Sequence, residues 1–134
     1  MNPQQFPHEK ATWRASHATD IIQNAKVHTS LNAAIADCHL VIGTSARTRY
    51  LPTSIVSAQA AASTIITSSS THKIALVFGR EDRGLTNDQL QQCHLHLSIP
   101  SSDYSSLNLA AAVQVVCYEI YKASLDQTND SIIE

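Results

Sequence analysis

Two short apolar runs, each followed directly by a glycine, constrain the fold of this chain more than any other feature. The first is residues 40–42, L-V-I, closed by Gly43, and the second is residues 74–78, I-A-L-V-F, closed by Gly79. Uninterrupted apolar runs of this length suit strands of a parallel sheet that is buried on both faces. Glycine after such a strand permits a close approach to the backbone. The two runs therefore predict a parallel sheet with close contacts at the edge where its strands end.

Segments with helical periodicity alternate with these runs. Apolar residues recur at three- and four-residue steps in several segments, and Ser30 and the Thr86/Gln89 pair fit helix-capping patterns. The predicted helices cover residues 9–25, 30–37, 53–67 and 86–93 and a last helix that ends near residue 121. Further strands are predicted over residues 26–29 and 94–99. This alternation indicates an α/β fold with a mainly parallel sheet.

The last helix follows a polar loop, and together they form residues 99–121. Leu109, Val113 and Val116 fall on one face, and further apolar residues widen that face almost to a full wrap, as in a helix buried on most sides. Asn108 and the serines before it suit the N-cap. They also form a small polar site at a helix start, where anionic groups are favoured. A capped core helix and a binding site both remain open.

Composition excludes several classes of protein. The chain has 134 residues, which suits one domain, and 43% of them are hydrophobic, enough for a core. The net charge of −2 argues against binding nucleic acid by bulk charge, so any RNA contact comes from a local patch or a second subunit. The three cysteines form no C-x-x-C pair, which predicts reduced thiols in a cytoplasmic protein rather than a disulfide framework or a zinc site. The apolar runs are too short to cross a bilayer.

Three loops are predicted to converge where the parallel strands end, which is where ligands bind in open α/β sheets. They are residues 43–47, 78–87 and 99–109. No dinucleotide-binding G-x-G-x-x-G pattern or P-loop is present, and Arg47 stands where a nucleophile elbow needs its second glycine. His94 and His96 could point the same way from a strand, but two histidines alone are a weak indication of a metal site, and we expect no metal.

The second and third loops, A-L-V-F-G-R-E-D-R-G-L-T-N-D-Q-L and I-P-S-S-D-Y-S-S-L-N-L-A-A-A-V-Q-V-V-C-Y-E, resemble the closing motifs of the TrmH-like branch of the SPOUT superfamily. F-P-H-E-K-A-T-W-R-A-S-H-A-T-D-I-I and G-T-S-A-R-T-R are similar to the TrmJ subgroup, so the resemblance covers residues 3–121. It implies S-adenosylmethionine-dependent methylation of a ribose 2'-hydroxyl in tRNA, at the pyrimidine of anticodon-loop position 32. The wobble ribose is the alternative substrate within the superfamily.

The resemblance also implies an architecture and a set of site residues. The SPOUT fold is a parallel α/β sheet with a C-terminal trefoil knot, and its members form homodimers through the last helix. The residues that match the cofactor site are Thr44, Ser45, Ala46, Gly79, Ile99, Ser105, Ser106 and Leu107. The residues that match the catalytic machinery are Arg47, Glu81, Ser106 and Asn108. Arg47 is expected to face an RNA phosphate or the reacting ribose, because a guanidinium suits bidentate phosphate contacts.

The chain departs from the family pattern at its start. Members of the family have a strand and helix before the region that matches Pro3, and the loop between them carries the first motif. Without that unit we expect an apolar groove or an exposed strand edge, and weak or no activity even if the cofactor binds. We expect a methyltransferase domain over residues 1–122 and a polar, frayed tail over residues 123–134. A non-catalytic remnant that keeps cofactor binding and dimerisation, and an unrelated small α/β binding module, remain as alternatives.

Overall fold

A computed structural model of the chain describes residues 16–45, 55–80, 84–99 and 108–133. Internal contacts divide the chain into two compact units, Met1–Ala36 and Asp37–Glu134. The described helices of the first unit are the 3-10 helix Ser16–Ala18, α1 (Thr19–Asn24) and α2 (Leu31–Ile35). The sequence predicts a helix over residues 9–25, and the part of that range that the structure describes is helical from Ser16 to Asn24. The Oγ of Ser30 accepts a hydrogen bond from the backbone N of Ala33 at 3.2 Å, which confirms Ser30 as the cap of α2.

The second unit is built on a four-stranded sheet. Its elements in chain order are β1 (Leu40–Ser45), β2 (Ile55–Ser57), α3 (Ala58–Ser68), β3 (Ile74–Val77), α4 (Asn87–Gln91), β4 (Leu95–Ser98) and α5 (Leu109–Ile133). The sheet order is β2-β4-β1-β3, and every pairing is parallel, which confirms the predicted α/β class. Each strand is hydrogen-bonded to the next in this order, and β2 and β3 are the two edge strands of the described sheet.

One face of the sheet packs against two helices. Ile42 of β1 and Leu97 of β4 are wholly buried there, in a cluster with Ala61 and Ile65 of α3 and Val116 of α5. Side chains alternate between the faces of a strand, so the residues on either side of Ile42 point away from this cluster. Helices α3 and α5 pack directly against each other and form the layer that covers this face.

The opposite face is covered at β1 and β4 by α4 and the chain just before it. Gly43 contacts Leu85 and Cys93 on this side. The buried ring of His96 on β4 has its Nε2 atom 2.8 Å from the carbonyl oxygen of Leu90 in α4. Thr86 begins α4 with the predicted capping box: its Oγ1 accepts from the backbone N of Gln89 at 3.2 Å, and its own N donates to Gln89 Oε1 at 2.9 Å. Both sheet faces are thus used for packing, as a parallel sheet requires.

Four predictions about the elements are corrected by the structure. Residues 26–29 are not a strand, and Val27, the one strongly apolar residue of that segment, is half exposed. The helix predicted from residue 53 begins at Ala58, because residues 55–57 form β2 and pair with β4. β1 does not end at Gly43 but continues to Ser45. The tail is not frayed from residue 123, since α5 continues to Ile133. None of the helices in the described ranges is long and apolar enough to span a membrane.

Two histidines extend the parallel pairing at the beginning of the strands. The backbone N of His94 donates to Val41 O at 2.8 Å, and the N of Val41 donates back to the ring Nδ1 of His94 at 2.9 Å. His39 and Lys73 make the same reciprocal pair between β1 and β3, at 2.8 and 3.0 Å. In each pair the histidine Nδ1 accepts a hydrogen bond from a backbone N–H. Within a β-sheet ladder a backbone carbonyl oxygen would accept that bond. Both rings therefore carry an unprotonated Nδ1.

We expect loss of the His94 ring to destabilise the sheet where β1 pairs with β4. His94→Ala removes the acceptor of the Val41 N–H, and we expect it to lower the free energy of unfolding by about 1–2 kcal/mol. His94→Asn, whose Oδ1 can replace Nδ1, should recover at least half of that loss. Urea unfolding followed by circular dichroism measures the difference. His17→Ala, at an exposed position of the first unit, is the control. Equal stability of His94→Ala and the unsubstituted chain would contradict this role.

Candidate functional site

The carboxyl ends of β1, β3 and β4 lie at one edge of the sheet, because all pairings are parallel. Thr44 and Ser45 end β1, Ser98 ends β4 opposite Ser45, and Ile99 follows it. Gly79 lies two residues beyond Val77, the last residue of β3. The structure therefore brings four of the predicted cofactor residues, Thr44, Ser45, Gly79 and Ile99, to the same edge. We call this region the carboxyl edge.

The remaining predicted site residues divide into two groups. Asn108 is described, at the start of α5. The residues that lie outside the described ranges are Ala46, Arg47, Glu81, Ser105, Ser106 and Leu107. Their predicted roles in cofactor binding and catalysis stay predictions.

Thr44 fastens the end of β1 to β3. Its Oγ1 donates a hydrogen bond to the carbonyl oxygen of Val77 at 3.1 Å, and the side chain is half buried. The hydroxyl hydrogen of Thr44 is therefore already used within the sheet. A hydrogen bond donated by Thr44 to a ligand at this edge would have to come from its backbone. Ile99 supplies an apolar surface nearby, since it is half buried and packs against the core cluster.

Gly79 is approached closely by the chain itself. A Cβ atom on Gly79 would lie 2.0 Å from the carbonyl carbon of Gly84 and 2.2 Å from the backbone N of Leu85. The contact closes a tight loop in which the N of Gly84 donates to Arg80 O at 2.8 Å. Gly84 has φ +69°, a left-handed conformation that glycine adopts without strain. Glycine is thus required at position 79 by the folding of this loop, whether or not a ligand also approaches it.

A second close contact lies beneath the carboxyl edge, at Gly43. A Cβ atom there would lie 2.7 Å from the Sγ of Cys93 and 3.3 Å from Cδ1 of Leu85. Cys93 is buried, and burial raises the pKa of its thiol. A buried thiol of raised pKa is a poor nucleophile, so Cys93 acts here as a packing residue. Sequence reasoning missed the pairing of Gly43 with Cys93 and Leu85, because the three residues are up to fifty positions apart.

Asn108 is the N-cap of α5. Its Oδ1 accepts a hydrogen bond from the backbone N of Ala111 at 2.8 Å, and its carbonyl oxygen accepts from Ala112 N at 2.9 Å. The capping alternative from the sequence is therefore confirmed for this residue. The cap uses the Oδ1 atom, while the Nδ2 amide group takes no part in it.

The two histidines considered as metal ligands have other roles. His94 precedes β4 and accepts from Val41 N, whereas His96 is buried with its Nε2 atom beside the Leu90 carbonyl. Among the residues that the structure describes, no group of three or more histidine, cysteine or acidic side chains could hold a metal ion. Sequence reasoning also missed Ser57, which lies opposite Ser98 at the carboxyl edge and caps α3 by accepting from Ala60 N at 3.1 Å.

Comparison with known proteins gives a consistent family. The family model described as "SpoU rRNA Methylase family" matches residues 1–118. The chain is a member of the SpoU rRNA methylase family. The sheet and its flanking helices agree with solved relatives: a probable methylase family protein from Haemophilus influenzae Rd KW20 has a TM-score of 0.84 at 45% identity, covering 93% of this chain and 53% of that one. TrmJ from Z. mobilis ZM4 has a TM-score of 0.80 at 33% identity, covering 86% and 51%.

Curated relatives in this family are similar along almost the whole chain. A tRNA (cytidine/uridine-2'-O-)-methyltransferase TrmJ from Sodalis glossinidius (strain morsitans) is 45% identical over 136 residues, which is 100% of this chain and 53% of the relative. A tRNA (cytidine/uridine/adenosine-2'-O-)-methyltransferase TrmJ from Pseudomonas aeruginosa (strain UCBPP-PA14) is 46% identical, over 93% and 49%. The chain spans about half the length of these SpoU-family relatives. The resemblance to this superfamily and to the TrmJ subgroup is therefore confirmed.

We expect the two glycines of the loop after β3 to differ in their tolerance of a side chain. Gly79→Ala places a methyl group against backbone atoms and should destabilise the protein by about 3 kcal/mol, because the loop has to move. Gly84→Ala meets open space and should cost only about 1 kcal/mol, from the left-handed backbone alone. Urea unfolding of both variants measures the order. A Gly84→Ala variant that is less stable than Gly79→Ala would refute this explanation.

Proposed function

We propose that this protein transfers a methyl group from S-adenosylmethionine to a ribose 2'-hydroxyl of tRNA, at the pyrimidine of anticodon-loop position 32. The observation that carries the proposal is the meeting of Thr44, Ser45, Gly79 and Ile99 at the carboxyl edge. These residues lie at the ends of three different strands, in a fold that resembles that of TrmJ from Z. mobilis ZM4. The 45% identity with a tRNA 2'-O-methyltransferase along the whole chain supports the choice of substrate.

The residues at the carboxyl edge fit an adenosine-containing ligand. An adenosine needs an apolar surface and backbone hydrogen-bonding groups, and the half-buried Ile99 beside the ends of β1 and β4 offers both kinds of contact. We propose that the cofactor-binding residues are those matched by sequence: Thr44, Ser45, Ala46, Gly79, Ile99, Ser105, Ser106 and Leu107. When bound, S-adenosylmethionine supplies an electrophilic methyl group. The SPOUT trefoil knot is part of the same proposal.

The chain's own part in the chemistry is to orient the ribose hydroxyl and to assist loss of its proton. A hydroxyl is a weak nucleophile at neutral pH, so in-line positioning and an oriented proton acceptor supply much of the rate gain. We propose Arg47, Glu81, Ser106 and Asn108 for these tasks. Asn108 can donate through Nδ2 while its Oδ1 keeps the helix cap. The exposed Arg80 lies beside Gly79 at the carboxyl edge, where its cation can meet an RNA phosphate.

A homodimer through α5 belongs to the proposal. Tyr118, Tyr121 and Leu125 are 57%, 62% and 44% exposed, and they lie on the side of α5 turned away from the buried Val116. Aromatic side chains exposed together on one helix face are typical of a surface that a partner covers. A second copy would also bring a second set of cations to the RNA, which suits a chain of net charge −2. We place the protein in the cytoplasm, which fits its three free thiols.

Binding and transfer are measured separately to test the proposed activity. Titration calorimetry with S-adenosylhomocysteine should give saturable binding, one ligand to each chain. Incubation with tRNA and radiolabelled S-adenosylmethionine should give label at the ribose of position 32, and a tRNA with a 2'-deoxyribose there should accept none. Binding without transfer would favour the non-catalytic remnant. No binding at all would contradict the cofactor proposal.

We expect Tyr121→Glu to weaken the dimer, because the substitution puts a charge where the proposed interface is apolar. The dimer dissociation constant from sedimentation equilibrium should rise by at least about tenfold, as for an aromatic anchor residue. Gln91→Glu adds the same charge at an exposed position of α4 and should leave the constant unchanged. A monomeric unsubstituted chain, or equal constants for Tyr121→Glu and Gln91→Glu, would refute the proposed interface.

A further inference from the structure

Leu85 lies beneath the carboxyl edge and contacts both Gly43 of β1 and Gly79, which follows β3. Its side chain is 4% exposed, and its Cδ1 lies 3.3 Å from the place where Gly43 of β1 would carry a Cβ. Its backbone N lies 2.2 Å from the corresponding place on Gly79, just beyond β3. One residue thus meets β1 with its side chain and the chain beyond β3 with its backbone.

The chain on both sides of Leu85 fixes where it can lie. Gly84 precedes it in the left-handed conformation and is hydrogen-bonded to Arg80 O. Thr86 follows it and is locked by both hydrogen bonds of the capping box. Because neither neighbour can turn without losing these contacts, the Leu85 side chain is held in the space that Gly43 leaves open. A larger residue at position 43 would close that space, whereas a larger residue at position 79 would press on the backbone of Gly84 and Leu85.

We propose that Leu85 is a positioning residue of the cofactor site, one that holds the chain beyond β3, at Gly79, against the end of β1 so that both present their backbone groups to the same ligand. This inference rests on the proposed function. Gly43 leads directly into Thr44 and Ser45, and Gly79 is itself one of the proposed cofactor residues. A change in the packing of Leu85 therefore acts on two of the three loops at the carboxyl edge, without any contact between Leu85 and the ligand.

Leu90 offers a matched control. It is wholly buried on the same face of the sheet, in α4, and its carbonyl oxygen lies by the ring of His96. The three nearest atoms to the missing Cβ of Gly43, and those of Gly79, come from Leu85, Gly84 and Cys93 rather than from Leu90. Leu90→Ala therefore leaves a comparable cavity in the same layer but does not remove a contact between the two strand ends.

The first test compares ligand affinity in the two variants of the full chain. Leu85→Ala should raise the dissociation constant of S-adenosylhomocysteine by about tenfold or more, whereas Leu90→Ala should change it by less than about threefold. Both should lower the melting temperature, so calorimetry is done well below it. Leu85→Met, which nearly conserves volume, should restore most of the affinity. Equal affinity losses in Leu85→Ala and Leu90→Ala would overturn the proposal, because the effect would then be one of general stability.

The second test needs no ligand, so it separates this inference from the proposed activity. Amide hydrogen exchange measured by mass spectrometry should become faster at residues 43–45 and at residues 79–80 in Leu85→Ala. In Leu90→Ala the increase should be confined to α4 and β4. If the unsubstituted chain binds no S-adenosylhomocysteine, the cofactor proposal is refuted. The hydrogen-exchange measurement then tests by itself whether Leu85 couples the two strand ends. Unchanged exchange at either strand end in Leu85→Ala would refute the coupling.

Discussion

The pairing of β1 on both of its sides is the constraint on which the second unit depends. β1 lies inside the sheet, with β3 along one side and β4 along the other. Its residues are buried on both faces, with Val41 and Ile42 1% and 0% exposed. Helices α3 and α5 cover the face of Ile42, and α4 lies on the face of Gly43. Two neighbouring strands and two covered faces restrict the movement of β1, so the residues at its carboxyl end are positioned without a ligand.

Elements with a local signal could be predicted from the sequence. The apolar runs predicted β1 and β3, and Ser30 and Thr86 marked helix starts because a cap depends on residues only three positions apart. β2 has no such signal: Ile55–Ser57 merges in sequence with the Ala- and Ser-rich helix after it. It is a strand because it pairs with β4, some forty residues later. Residues 26–29 show the opposite case, with strand-forming residues but no strand in the structure.

Polar composition predicts a frayed tail after residue 123, whereas the described chain is helical to Ile133. A polar segment need not fray when it continues a helix that is already formed. Residues 123–127 extend a helix whose preceding turns pack on α3. Elongating an existing helix costs much less than starting one. Lys122 and Glu119 form an ion pair at 3.7 Å, one turn apart, with side chains that are 45% and 21% exposed. An ion pair of this kind adds little stability, so continuity with the packed turns matters more.

The location of the candidate site followed from topology, whereas the roles of its residues did not. Parallel strands bring their carboxyl ends together, so loops that are far apart in sequence could be assigned to one edge. A glycine after a strand, however, signals only that something approaches the backbone. At Gly79 the approaching group is the chain's own Gly84–Leu85 backbone. The same pattern read from sequence alone fits a ligand equally well, and the distances in the folded chain are needed to separate the two.

The structural role of Asn108 as a helix cap does not exclude the chemical role that we propose for it. An N-cap requires only an acceptor oxygen, which serine, threonine and aspartate could also supply. Among the usual capping side chains, asparagine alone adds an amide that donates hydrogen bonds without carrying a charge. In this chain Oδ1 accepts from Ala111 N, which leaves the Nδ2 amide group outside the cap. The role that we propose for Asn108 uses Nδ2, so it would not compete with the cap, and a donor held at the start of a helix would need less reorientation during a reaction than a free one.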